Sequence, residues 1–89
     1  MDAAEIKGRI KEIITNITNI EPSEIEDDAS FTADLDLDSL SLLEIGVDVD
    51  YEFKLGLPEE AMRGIDSVNA TCQLVEKRLQ EKSATADVA

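Results

Sequence analysis

Asp34, Asp36 and Asp38 alternate with Leu35 and Leu37, and Ser39-Leu40-Ser41-Leu42-Leu43-Glu44 follows without a break. This is an aspartate-rich loop that turns into a helix at a serine. Asp38 is a strong N-cap residue, because its carboxylate can accept free backbone N–H groups of the first turn. Ser39 then falls on that turn with its hydroxyl exposed at the positive end of the helix dipole, where an attached phosphate is favoured. Asp-Ser-Leu on its own marks only a helix start, so the surroundings must carry any stronger reading. The chain has no histidine, which excludes a Ser-His-Asp triad, and neither histidine nor lysine lies near Ser39 in sequence to activate it. Ser41 is the rival hydroxyl, turned roughly 200° from Ser39 around the helix.

The alternating aspartates suggest a second chemistry, calcium binding in an EF-hand loop. That loop needs glycine at its sixth position and a bidentate glutamate at its twelfth. Counting from Asp34, those places hold Ser39 and Ile45, so the sharp turn and the closing ligand are both missing. With no histidine and the single Cys72, a zinc site or a Cys–His pair is not expected either. No metal ligand is assigned.

The 89 residues suit one small domain, expected over residues 1–82, with 83–89 a disordered tail. Apolar residues make up 43% and aromatic ones only 3%, so aliphatic side chains must fill the core. The net charge of −13 excludes nucleic-acid binding through a basic surface. No lysine or arginine occurs between Lys11 and Lys54, so the middle of the chain is one acidic stretch. Such a stretch keeps a domain soluble and also attracts partners that carry basic patches. No secretory leader and no run of about 20 apolar residues is visible, and a soluble, cytoplasmic protein is expected. Met1 and the short tail favour a free-standing protein.

Four helical segments must position the serine. Asp2-Ala3-Ala4-Glu5 has capping-box spacing, and Ile6, Ile10, Ile13, Ile14 and Ile17 mark one apolar face. β-Branched residues and asparagines weaken this helix beyond Asn16. Glu21 to Asp38 is a long loop with a short helical turn at Pro22-Ser23-Glu24 and apolar anchors at Ile25, Phe31, Leu35 and Leu37. Ser39 to Phe53 is the second helix. Leu42, Ile45, Val49 and Phe53 form one stripe, and Leu40, Leu43, Val47 and Tyr51 form another. With more than half its circumference apolar, this helix should leave a strip exposed beside acidic residues, as contact surfaces do. Gly46, inside it, allows close approach by another helix or by a partner. Pro58 opens a short helix that Gly64 caps, and Asp66 or Ser67 caps the last helix. Its buried stripe is Val68, Cys72, Val75 and Leu79, which makes Cys72 a small core residue. The fold class is all-α, a small four-helix bundle of three main helices and one short one, with a long first loop.

This pattern resembles the acyl carrier proteins of fatty-acid and polyketide synthesis, from about Glu5 to Leu79. The most specific match is Asp34-Leu35-Asp36-Leu37-Asp38-Ser39-Leu40, with support from Phe31, Phe53, Leu57-Pro58 and Ile65. The resemblance implies that Ser39 accepts 4′-phosphopantetheine from coenzyme A through a separate phosphopantetheinyl transferase. The arm's thiol then carries acyl groups as thioesters, and the chain is a carrier and substrate rather than a catalyst. It also implies that Asp38 and Leu40 are read by the transferase. Glu44, Val47, Asp48 and Glu52 would dock on a ketosynthase, an acyltransferase and other acyl-processing enzymes, with the carrier itself a monomer. The apolar stripes suggest an acyl pocket near Leu43, Phe53, Leu57 and Ile65. One departure stands out: Asp36 occupies a place where the family usually has glycine, so the loop is expected to take a slightly different path. An unmodified acidic adaptor and a peptidyl or aminoacyl carrier are the alternatives.

Overall fold

The computed structural model describes the backbone of residues 2–63 and 65–88, and side chains as far as residue 81 except that of residue 63. Among the described residues four α-helices follow in order: α1 (Ala3–Thr18), α2 (Ser39–Phe53), α3 (Glu59–Arg63) and α4 (Val68–Val88). A single 3-10 turn, Pro22–Glu24, lies in the α1–α2 loop. No strand occurs among the described residues. The architecture is therefore the all-α bundle expected from the sequence.

The capping signal at the start of the chain operates, since the Asp2 carboxylate accepts the Glu5 N–H at 2.8 Å. Ile6, Ile10, Ile13 and Ile14 are buried and Ile17 is half-buried, so the isoleucine spacing gives one core-facing stripe. α1 continues past Asn16 to Thr18 because its threonines find local partners. Thr18 Oγ1 donates to the Ile14 carbonyl at 2.8 Å, and Thr15 Oγ1 donates to the Ile20 carbonyl at 2.6 Å. Asn19 ends the helix in the left-handed region at φ 66°.

α1 packs against both α2 and α4, while α3 packs on α2. The shared core takes Ile45 and Val49 from α2 and Val68, Cys72 and Val75 from α4, all at most 2% exposed. Each such aliphatic side chain contributes roughly 1.5–3 kcal/mol by leaving water. Leu79, at the end of the α4 stripe, is half-buried. Thr71 is also fully buried, and its hydroxyl donates to the Ser67 carbonyl at 2.7 Å, so it enters the core with its polar atom satisfied.

At the end of the chain, where a tail was expected from Ser83, the helical backbone of α4 runs to Val88. No glycine or proline interrupts 80–88, so nothing in the sequence breaks the helix there. Gly64, the expected cap of α3, and Ala89 lie outside the described residues.

Candidate functional site

The site is the junction of the long loop with α2. Asp38 stands outside the helix at φ −91°, ψ 176°, and its Oδ1 accepts the Ser41 N–H at 2.8 Å. The Ser41 N–H, joined by the Ser41 hydroxyl, holds the Asp38 carboxyl below its ordinary pKa. Ser41, the rival hydroxyl, is thereby turned back onto the cap and is half-buried. Ser39 is the first residue of α2 and is exposed, and its hydroxyl has no hydrogen-bond partner among the described residues. Serine as a primary alcohol, open to solvent at the positive end of a 15-residue helix, suits a phosphodiester link.

The loop that delivers Ser39 is fixed by a buried ring and by one aspartate. Phe31 is fully buried in the core, with Ile25 buried beside it in the cluster and Leu35 and Leu37 packed against its edge. Asp66, just before α4, accepts from Ser30 Oγ at 2.8 Å, Thr32 N–H at 3.3 Å and Thr32 Oγ1 at 3.2 Å. Its own carbonyl accepts the Phe31 N–H at 2.7 Å. The Ser30 hydroxyl and the Thr32 groups hold the Asp66 carboxyl below its ordinary pKa. Ser67, not Asp66, caps α4 by accepting the Ala70 N–H at 3.0 Å. The sequence reading offers Asp66 only as a cap of α4 and misses its hold on the loop, for its partners lie more than thirty positions away and leave no local pattern.

The rest of the loop is tied to α1. Asp27 pairs with Lys11 at 2.8 Å and Lys7 at 3.3 Å, and these two lysines, Lys11 above all, lower its pKa. Asp28 bonds Asn69 on α4, and the Asp27 carbonyl accepts the Asn69 N–H at 3.0 Å. Asp36, where the family pattern has glycine, adopts φ 56° itself. Aspartate is among the few residues that enter the left-handed region. The backbone at Asp36 thus takes the conformation that glycine would supply.

The expected contact residues share the outer side of α2. Asp38, Leu40, Glu44, Val47, Asp48 and Glu52 are all exposed, and Leu40 (62%), Val47 (48%) and Tyr51 (84%) form the apolar strip between the acids. Glu52 is already engaged, since it pairs with Arg9 of α1 at 3.2 Å. The expected pocket residues behave differently. Phe53 and Ile65 belong to one core cluster and Leu57 is buried, whereas Leu43 is half-buried nearer the surface. Gly46 is buried against α3, where a β-carbon would stand 2.6 Å from Met62 Cβ. Its close neighbour is therefore a helix of the same chain. Cys72 is 2% exposed, and burial, aided by Glu76, raises its thiol pKa, as befits a core residue.

The chain is similar to known proteins in sequence and in fold. The family model described as the phosphopantetheine attachment site matches residues 8–75. The meromycolate extension acyl carrier protein of Mycobacterium leprae is 39% identical over 83 residues, 93% of this chain and 72% of that protein. The polyketide-8 synthase acyl carrier protein 2 of Streptomyces avermitilis is 34% identical over 73 residues, 82% of this chain and 84% of that one. Among solved structures, an acyl carrier protein from Enterococcus faecalis superposes with a TM-score of 0.71 at 26% identity, covering 88% of this chain and 99% of the other.

Proposed function

The chain belongs to the phosphopantetheine-attachment family and is an acyl carrier protein, and from that premise we propose that Ser39 is the residue that takes the 4′-phosphopantetheine arm. The observation that carries this reading is the exposed, unpartnered Ser39 hydroxyl on the first turn of a helix whose cap is complete. When bound, the arm supplies a terminal thiol on which acyl groups travel as thioesters. The chain's own part is to present and to orient. Asp38 fixes the first turn, Asp66 and Phe31 fix the loop behind it, and the helix dipole favours the phosphodiester. Among the described residues no side chain bonds the Ser39 hydroxyl, and the neighbouring Asp38 carboxylate is engaged by the Ser41 N–H, so the transferase is left to remove its proton. The chain is thus a non-catalytic substrate and carrier.

The outer side of α2 is the docking face. Asp38 and Leu40 flank Ser39 and face the transferase. Glu44 and Asp48, which no ion pair holds among the described residues, meet basic patches on acyl-processing enzymes such as ketosynthases and acyltransferases. Val47, Leu40 and Tyr51 supply the apolar contact between them. Glu52 contributes less, because a partner's cation must displace Arg9. The net charge of −13 steers such encounters and keeps copies of the chain apart as monomers. No described helix is long and apolar enough to cross a membrane. The carrier works among cytoplasmic enzymes of fatty-acid or polyketide synthesis.

Intact-mass analysis tests the attachment site. After incubation with coenzyme A, magnesium and a broad-specificity phosphopantetheinyl transferase, the chain is expected to gain one phosphopantetheine. Ser39→Ala abolishes the gain and Ser41→Ala keeps it. A folded chain that stays unmodified beside an active control carrier would return the molecule to the adaptor reading.

A further inference from the structure

Glu44, Asp48 and Glu52 follow one another at steps of four residues and are all exposed, so they form one acidic row down the outer side of α2. At 1.5 Å per residue they stand about 8, 14 and 20 Å along the helix from Ser39. A standard interface takes about 800 Å² of each partner, a patch roughly 30 Å across. An enzyme that reaches Ser39 can therefore cover the whole row. The row is not uniform. Glu44 and Asp48 have no ion pair among the described residues, whereas Glu52 accepts a hydrogen bond from the Arg9 guanidinium of α1 at 3.2 Å.

Arg9 meets Glu52 for a local reason. Glu52 stands in the last turn of α2, where the helix dipole and Asp48 four residues back both oppose a negative charge. α1 packs on α2 and brings the guanidinium to it. Arginine keeps its charge at every pH the fold meets. The pair is also easy to open. It rests on a single hydrogen bond, Arg9 Nη1 to Glu52 Oε2, and the two side chains are 47% and 41% exposed. Such an exposed pair holds little of the fold's stability. Towards a basic enzyme it acts twice. It fills the carboxylate that the enzyme's outermost cation would take, and it sets a like charge beside that cation.

We propose that Arg9 is a specificity-determining residue of the docking face: it competes with the partner for Glu52 and confines basic enzymes to the half of α2 nearer Ser39. An enzyme whose basic patch spans the row must displace Arg9 or leave its outermost cation unpaired, and either weakens its hold. Glu44 and Asp48 then fix where the enzyme sits, close to the residue it must reach. The inference rests on Ser39 being the attachment point, and its test separates the two.

The test measures KM and kcat of a broad-specificity phosphopantetheinyl transferase, with coenzyme A in excess and the apo chain varied. Arg9→Gln, Glu52→Gln, the double variant and Lys77→Gln are compared, and circular dichroism checks that each is folded. Lys77, exposed on α4, is the control, because its loss changes the net charge as the loss of Arg9 does. Arg9→Gln is expected to lower KM roughly two- to five-fold, the range that an exposed pair allows. With kcat unchanged, that change reports binding alone. Lys77→Gln should lower KM less. Glu52→Gln should barely move the KM of the wild type and should raise that of the Arg9→Gln chain back to the wild-type value. A pair that only supports the fold would lower Tm and leave KM where it was, which overturns the competition. So does an increase in KM with Arg9→Gln, an equal fall with Lys77→Gln, or an equal effect of Glu52→Gln in both backgrounds. A chain that takes no phosphopantetheine, or still takes it after Ser39→Ala, overturns the attachment site and the competition with it.

Discussion

Gly8→Ala and Gly46→Ala should change stability in opposite directions. Both glycines lie inside helices, so each substitution gains the same helix propensity, about 0.8–1 kcal/mol. At Gly8, exposed on α1, an added β-carbon meets nothing within 4 Å, and the full gain should appear. At Gly46 it would stand 2.6 Å from Met62 Cβ and 3.0 Å from Met62 Cα. An ordinary carbon–carbon contact is about 3.5–4.0 Å. α3 must therefore retreat by roughly 1 Å on that contact distance. The atoms struck are at the root of Met62, so no change of rotamer relieves the overlap. Overpacking of this kind costs about 1–3 kcal/mol, which leaves Gly46→Ala about 1 kcal/mol less stable than the wild type after the propensity gain. The two variants should then differ by about 1–3 kcal/mol, or roughly 4–8 °C in Tm per kcal/mol for a domain of this size. Urea unfolding followed by circular dichroism at the helix band measures both. Equal stabilisation by the two substitutions would refute the close seating of α3 on α2.

Two further outcomes follow from the loop. Asp36→Gly should stabilise the chain by roughly 0.5–1 kcal/mol, because relief of a left-handed residue, about 1–2 kcal/mol, exceeds the entropy glycine adds to the unfolded state, about 0.4–1 kcal/mol. Thermal unfolding reads this directly, and a loss of stability would contradict the positive φ at Asp36. The pH dependence centres on Asp66, whose pKa is lowered in the folded state, chiefly by the Ser30 hydroxyl. A depressed carboxyl pKa contributes stability above the unfolded value, about 3.9, and loses it as pH falls through the folded value. The Tm gap between the wild type and Asp66→Asn should therefore hold steady above about pH 5 and narrow as pH drops below about 4. A gap that widens on acidification would reverse the assigned sign.

The fold was readable because its signals are local and periodic. The isoleucines of α1, the Leu42-Ile45-Val49-Phe53 stripe of α2 and the Val68-Cys72-Val75 stripe of α4 became the core as their spacing predicts. Asp38 caps α2 as its residue type requires. The helix ends were less legible. α1 reaches Thr18 through threonine hydroxyl bonds, and α4 outlasts its apolar stripe, since helix propensity does not depend on having a core to face.

The sequence by itself determined the class of molecule. A capped helix start places Ser39, the lack of histidine excludes a Ser-His-Asp triad within the chain, and thirteen excess negative charges define the surface. Each of these depends on residue type or short spacing alone. Only the tertiary structure decided which partner each ambiguous residue takes. It gave Gly46 to α3 rather than to another protein, Asp66 to the loop rather than to α4, and Glu52 to Arg9. It also divided the apolar residues of α2, burying Leu42 and Val49 and leaving Leu40, Val47 and Tyr51 in water. These are contacts between distant parts of the chain. They are settled by which helix faces meet when the core closes, and no short window of sequence contains both partners.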